Sequence, residues 1–193
     1  MGFFHFKKEP KTPWSKYYTK EDMHLDVSDS SIYNYFEEQA LNFENNIYLD
    51  YYGRKVRYPE LLNRIDNCAK GLYNYGVRKK DVVTLCLPNT LEGLVSFFAI
   101  NKIGAVANFI HPASGENEIM TSMNDTASNI IIAIDSNYWK IENIIKKVKI
   151  KKVILVSLNN YMPWINKLRY HNNKIKIKGS MSNSVGETKT YDK

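Results

Sequence analysis

The 193 residues carry 27 basic and 20 acidic side chains, a net charge of +7, and are 44% hydrophobic. That suits one domain with a sizeable core, with or without tails. No apolar run is long enough to span a bilayer, since Leu94–Ile100 and Ile103–Ile110 are broken by polar residues and Gly104. The opening Met1–Lys8 lacks the long apolar stretch of a secretory signal, and Phe6 stands where a myristoylation motif needs Ser or Thr. The expected location is therefore cytoplasmic. The charge is uneven: residues 1–137 hold 14 basic and 17 acidic side chains, whereas residues 138–193 hold 13 and 3. A nucleic acid or an anionic membrane is a conceivable use for such a basic end. No nucleic-acid motif accompanies it, so the expectation is a solvated lysine-rich face and no nucleic-acid partner. Cys68 and Cys86 are the only cysteines and fall on predicted buried faces, with no Cys/His spacing for zinc.

In chain order, residues 1–27 form an arm rich in aromatics, lysine and proline. Its Pro13–Tyr18 stretch fits no regular element and is expected to pack on the domain. The α/β domain is expected over residues 28–158. Ser30 or Ser31 caps a helix whose apolar positions are Ile32, Tyr35, Phe36, Ala40 and Phe43. Ile47–Tyr52 alternates as a strand, Gly53 turns the chain, and Lys55–Arg57 returns as its hairpin partner. Pro59 suits the first turn of a helix carrying Leu61, Leu62, Ile65, Cys68, Ala69 and Leu72 at helical spacing, closed by Gly76. Asp81–Leu87 is a short apolar strand stopped by Pro88-Asn89. Leu91–Ile103 is apolar nearly all round, which predicts a buried helix ended by Gly104.

Ala105–Ile110 then predicts a second buried strand, stopped by His111-Pro112, so this stretch reads as a parallel βαβ unit. Ser114 or Gly115 starts a short helix to Met123, and Asn129–Ile134 is a buried strand. Asn137–Val148 is an amphipathic helix with Trp139, Ile141, Ile144, Ile145 and Val148 on its apolar face. Lys152–Ser157 is a further strand. Four strands alternating with helices predict an α/β fold with a doubly wound, mainly parallel sheet, preceded by a helix and a β-hairpin. Residues 159–193 are an irregular basic tail. Lys174–Lys178 is a possible edge strand, and no regular structure is expected over Gly179–Lys193.

The residues Arg57-Tyr58-Pro59-Glu60-Leu61, Gly71-Leu72, Gly76-Val77, Asp81-Val82, Leu87-Pro88-Asn89 and Gly104-Ala105-Val106 resemble a known series in order and spacing. They are similar to the opening of the acyl-adenylate-forming ligases, the AMP-binding superfamily of acyl-CoA synthetases, luciferases and adenylation domains. The chain departs from that pattern at Arg57 (Thr in the family), Lys80 (Gly) and His111 (Asn). The likeness covers residues 12–158, and Pro13-Trp14 with Tyr18 is similar to the entry of fatty acyl-CoA synthetases.

The resemblance implies activation of a fatty or other carboxylic acid by ATP and magnesium, followed by acyl transfer to coenzyme A. It also implies a Ser/Thr/Gly phosphate loop, an adenine-site Tyr-Gly-x-Thr-Glu, a ribose-binding Asp and a catalytic lysine. None of these motifs is present. Ser182–Lys189 imitates the loop in residue type but lacks its repeated glycines and its Pro-Lys-Gly ending. The expectation is thus an N-terminal fragment, inactive alone, with no catalytic, cofactor-binding or metal-binding residue and no tightly bound cofactor.

His111, at a strand end where open α/β sheets place ligands, is the one substrate-site candidate; capping the turn before Pro112 is its structural alternative. Asn89 reads as a turn former. Two other functions stay open: a non-catalytic module pairing with a separate chain that carries the missing half, and a basic module binding membrane or nucleic acid. Exposed apolar surface and self-association are expected in either fragment reading.

Overall fold

A computed structural model describes residues 12–19, 21–22, 29–51, 53–157 and 189–190. The chain divides into two units, Met1–Ser30 and Ser31–Lys193. In the first, Pro13–Tyr17 forms a 3-10 turn where no regular element was expected. Pro13 sits at its start, and the Ser15 hydroxyl donates to the Thr12 carbonyl (2.7 Å). Asp22 accepts hydrogen bonds from the Thr19 amide (2.9 Å) and hydroxyl (2.7 Å).

The second unit opens with α1 (Ile32–Asn42), capped by the Ser31 side chain accepting from the Asn34 amide (3.1 Å). β1 (Ile47–Tyr51) and β2 (Arg54–Arg57) pair as the expected antiparallel hairpin. α2 (Tyr58–Asn74) buries Leu61, Ile65, Cys68, Ala69 and Leu72, the predicted face except for half-buried Leu62. β3 (Val82–Cys86), α3 (Leu91–Ile103), β4 (Val106–Phe109), α4 (Glu116–Asp125), β5 (Ile130–Ile134), α5 (Tyr138–Ile145) and β6 (Lys152–Val156) follow. The two-residue β7 (Lys189–Thr190) corrects the expectation of no regular structure there, while the possible strand Lys174–Lys178 lies outside the described residues.

All pairings in the main sheet are parallel, in the order β4-β3-β5-β6-β7. The chain runs outward from β3 to β4, then crosses back over β3 to β5 and on to β6. Crossovers of one hand then place α3 on one face of the sheet and α4 and α5 on the other. Burial follows this winding. Val83, Leu85, Ile130, Ile132, Ile154 and Val156 pack with α2 and α3, and Cys86, Ile131, Ala133, Val153 and Leu155 pack with α4 and α5. The two sets alternate along each strand, as the two-residue period requires.

Three sequence expectations are corrected here. β4 is the sheet's edge, so Val106 (52% exposed) and Phe109 (61%) are not buried. On α1 the inward residues are Tyr33, Phe36 and Ala40, while Ile32 and Tyr35 are exposed. α5 ends at Ile145 rather than Val148, and Trp139 stands 47% exposed. Lys80, where the resembling ligases have Gly, has φ 71°, a left-handed conformation that costs an ordinary residue about 1–2 kcal/mol.

Charge ties the three helices of the first face together. Lys102 on α3 donates to Tyr33 on α1 (2.9 Å) and to Asp66 on α2, with Glu37 3.7 Å away. Burial pushes the Lys102 pKa down, but its bonds to Asp66 and Tyr33 outweigh that and leave it raised. The Lys102 bond holds the Asp66 pKa below its ordinary value. On the opposite face, Asn108 of β4 donates to Thr84 of β3 (3.1 Å) and to Ser122 of α4 (3.0 Å). Thr84 in turn donates to Ser128 (2.8 Å).

Two outcomes follow from these groups. A carboxylate with a depressed folded pKa contributes stability above its unfolded value, and that stability is lost as pH falls through the folded value. Urea midpoints should therefore drop as pH falls below about 4. Lys102→Met should flatten that drop and cost about 1 kcal/mol or less, because the pair is partly solvated. Thr84→Val keeps the shape of the buried side chain but strips partners from Asn108 and Ser128. It should lower unfolding free energy by ~1–3 kcal/mol in urea titrations.

Candidate functional site

Open α/β sheets present ligand-binding loops at the carboxyl ends of their strands, beside the point where winding reverses. Here that point lies between β3 and β5. The loop after β3 is Leu87-Pro88-Asn89-Thr90, and Asn89 is exposed in it, as a turn former would be. Thr90 caps α3 by accepting from the Gly93 amide (3.1 Å). A Cβ on Gly93 would lie 3.0 Å from the Pro88 carbonyl oxygen, so the helix reaches this close to the loop only because position 93 lacks a side chain.

Glu92, in the first turn of α3, was not singled out by sequence reasoning. Both carboxylate oxygens are shielded from solvent, and neither has a hydrogen-bond partner of normal geometry among the described residues. Burial raises its pKa, against smaller downward pulls from its own backbone, Thr90 and Arg64. A carboxylate near a helix N-terminus gains about 0.3–1 kcal/mol. An unsatisfied buried polar group costs ~1–3 kcal/mol, so the penalty wins. A signal was available: a Glu directly after a cap residue, at the head of a helix predicted to be apolar all round, has little chance of reaching water.

Glu92 lines a cavity of about 380 Å³ between α2, α3 and the β5–β6 part of the sheet. Its floor is Ile132, Ile154 and Val156, and Leu72 and Val95 form the wall. Cys68 also lines it, whereas Cys86 is buried on the opposite face, where burial raises its thiol pKa. Arg54 and Arg64 at the cavity both bind Glu60 (3.0 and 2.9 Å), which joins the hairpin to α2.

His111 follows β4 at the sheet edge and is exposed. Its Nδ1 accepts from the Ala113 amide (3.1 Å), a local turn contact. The loop it begins is tied down by others: Asn137 donates to the Pro112 carbonyl (2.7 Å), and Lys140 to the Ser114 carbonyl (3.1 Å). β4 lies on the far side of β3 from the cavity floor on β5 and β6, so the fold does not bring His111 and Glu92 into one described site. Among the described residues no cluster of His, Cys, Asp or Glu is arranged to hold a metal. Of the loop imitation Ser182–Lys189, all but Lys189 lies outside the described residues.

If His111 only fixes its turn, His111→Asn should leave stability within about 0.5 kcal/mol, since an Asn oxygen can accept from the same amide. His111→Ala should cost about 0.5–1.5 kcal/mol, read from thermal or urea unfolding.

Comparison with known proteins places this geometry. The long-chain-fatty-acid–CoA ligase of Bacillus subtilis is 21% identical over 163 residues, covering 84% of this chain and 29% of that protein. Acetyl-coenzyme A synthetase 1 of Saccharomyces cerevisiae is 31% identical over 86 residues, covering 44% of this chain and 12% of its own length. This chain thus spans less than a third of the curated relatives it matches. A crystal structure of a long-chain-fatty-acid–CoA ligase from Archaeoglobus fulgidus shares the fold. It has TM-score 0.62 and 18% identity, and the match covers 68% of this chain and 28% of that one. The sheet with its reversal at β3, the helices on both faces and a match running past Leu158 over residues 36–182 agree, and the chain belongs to the AMP-binding enzyme family.

Proposed function

We propose that this chain is the N-terminal subdomain of an ATP-dependent acid–thiol ligase, which joins a fatty or related carboxylic acid to coenzyme A through an acyl-adenylate. The family match over residues 36–182 carries the reading, and the Bacillus subtilis relative, matched along most of this chain, favours a fatty acid. ATP, magnesium and coenzyme A are the family's co-substrates. The described residues alone do not fit magnesium-ATP: the buried carboxylate Glu92 faces a mostly apolar cavity, and no set of carboxylates converges on a cation site. No step through the nucleotide is therefore assigned to these residues. Their role is to fix the sheet and the loops at its carboxyl edge, against which the catalytic groups of the ligase act. Among the described residues no helix is long and apolar enough to cross a membrane, which is compatible with a cytoplasmic place of action.

The test starts from protein captured from the native source with an antibody against residues 58–112. With fatty acid, ATP, magnesium and coenzyme A, the captured material should release AMP. The purified 193-residue chain under the same conditions should release none. Captured material without AMP formation would overturn the ligase reading, and AMP formation by the purified chain would overturn its inactivity.

A further inference from the structure

Lysine recurs where the chain enters the main sheet. Lys79 and Lys80 precede β3, and Lys149, Lys151 and Lys152 lead into β6. Parallel strands all enter at one edge, so these runs, far apart in the chain, converge there. Val83 on β3 lies opposite Ile130 on β5, which lies opposite Lys152 on β6, so the two starts are about 10 Å apart. Between them is a cleft of about 310 Å³, lined by Lys80, Lys151 and Lys152 together with Tyr75, Asp81 and Asn129.

Backbone bonds fix two of the lysines at this cleft. The Lys80 amide donates to the Gly104 carbonyl (2.9 Å), and the Lys151 amide to the Asn129 carbonyl (2.8 Å). Lys152 donates to the Tyr75 carbonyl and stands 4.2 Å from the centroid of the Tyr75 ring. Asp81 accepts from the Arg78 amide (2.7 Å). The ammonium groups of Lys80 and Lys151 and the carboxamide of Asn129 have no hydrogen-bond or ion-pair partner among the described residues. Helix ends supply a structural reason for part of this charge. α2 and α4 both end beside the cleft, and a helix C-terminus carries about half a negative charge. That accounts for Lys152 on the Tyr75 carbonyl. The three ammonium groups still outweigh Asp81 and two helix ends by about one charge, and the surplus sits on Lys80 and Lys151. Backbone strain marks the same place. Among the described residues, the non-glycine residues with positive φ are Lys80 (71°) and Ala127 (52°), and both line this cleft. A lysine held in left-handed backbone, which glycine enters freely, is the pattern of strain at a ligand site.

We propose that the cleft at the amino edge of the sheet binds the phosphate group of a small phosphorylated molecule, held by Lys80, Lys151 and Asn129 with Lys152 behind them. The unengaged groups offer N–H donors and positive charge, which fits a multiply charged group with acceptor oxygens. The volume is at the lower end of the range for ligand pockets, which keeps the molecule small. The site goes beyond the ligase reading and does not depend on it, since it lies at the opposite edge of the sheet from the loops after β3 and β4.

The test titrates the 193-residue chain with inorganic phosphate at fixed ionic strength and follows its amide NMR shifts. The shifts should centre on Gly76, Lys80, Asn129 and Lys151, with half-saturation at ~1 mM or below. Lys151→Met should weaken binding about five- to tenfold. Lys80→Gly removes an ammonium group and frees the backbone of strain, so it should weaken binding by a similar factor without lowering the melting temperature. A merely structural Lys80 would leave the affinity unmoved. Lys55→Met is the control: it lies on β2, at the other end of the α2 helix, about 25 Å from the cleft, and should leave affinity unchanged. Vesicles of phosphatidylglycerol separate a lipid headgroup from a free phosphate, and the chain should not sediment with them. Shifts spread over all surface lysines, no shift at ~10 mM phosphate, or equal affinity in Lys80→Gly and Lys151→Met would each overturn the proposal. Sedimentation with the vesicles and no response to phosphate would overturn it in favour of a membrane surface.

Discussion

The central position of β3 is the constraint on which the rest depends. A parallel strand cannot be followed directly by its neighbour, so each step in this sheet requires a crossover. β3 is paired on both sides, Thr84 lying opposite Asn108 on β4 and opposite Ile131 on β5. The chain therefore passes β3 once outward and once back, and the direction of each pass sets the face that receives the helix. From this follow the two apolar clusters and the exposed edge at Val106 and Phe109.

The polar groups inside the fold are of two kinds. Thr84, Asn108, Ser122 and Ser128 satisfy one another on the α4 side, and Ser128 also donates to backbone carbonyls within reach of its hydroxyl (Val82 and Ile130, both 3.1 Å). Such a closed set fixes the register of β4 against β3 and seats α4. Lys102, Tyr33, Glu37 and Asp66 form a second set, half-buried, that orients α1 across α2 and α3. Stacking of Phe36 on Phe98 (ring centroids 4.4 Å apart) supports the same orientation. Glu92 is of the other kind, a carboxylate drawn out of water without a matching donor among the described residues.

What the sequence made legible was what local chemistry decides. The bounds of α3 were read as they stand because its apolar run begins at Leu91 and Gly104, at φ 78°, closes its end; the Thr90 cap went unread. The α2 face, the hairpin turn at Gly53 and the strands β3, β5 and β6 were readable for similar reasons, namely periodicity and punctuation. What failed depended on strand order and on partners far along the chain. Nothing in Ala105–Ile110 distinguishes an edge strand from a central one. Tyr33 turns inward because Lys102, 69 residues later, meets its hydroxyl. The cavity was illegible for the same reason, since α2, α3, β5 and β6 contribute to it together. His111 was picked out by its place at a strand end, but the edge position of β4 sets it apart from the cavity.

Glu92 shows how a local choice bears on the stability of the whole domain. A carboxylate drawn out of water without a well-made hydrogen bond among the described residues weakens the fold, by an amount that is a sizeable part of a small domain's total stability. Its place in the first turn of α3 offsets part of that, since a negative charge there meets the positive end of the helix. The offset is the smaller of the two, so a hydrophobic residue of similar length at position 92 would give a sturdier domain, and the carboxylate is the one group at the head of α3 that the apolar packing around it does not account for.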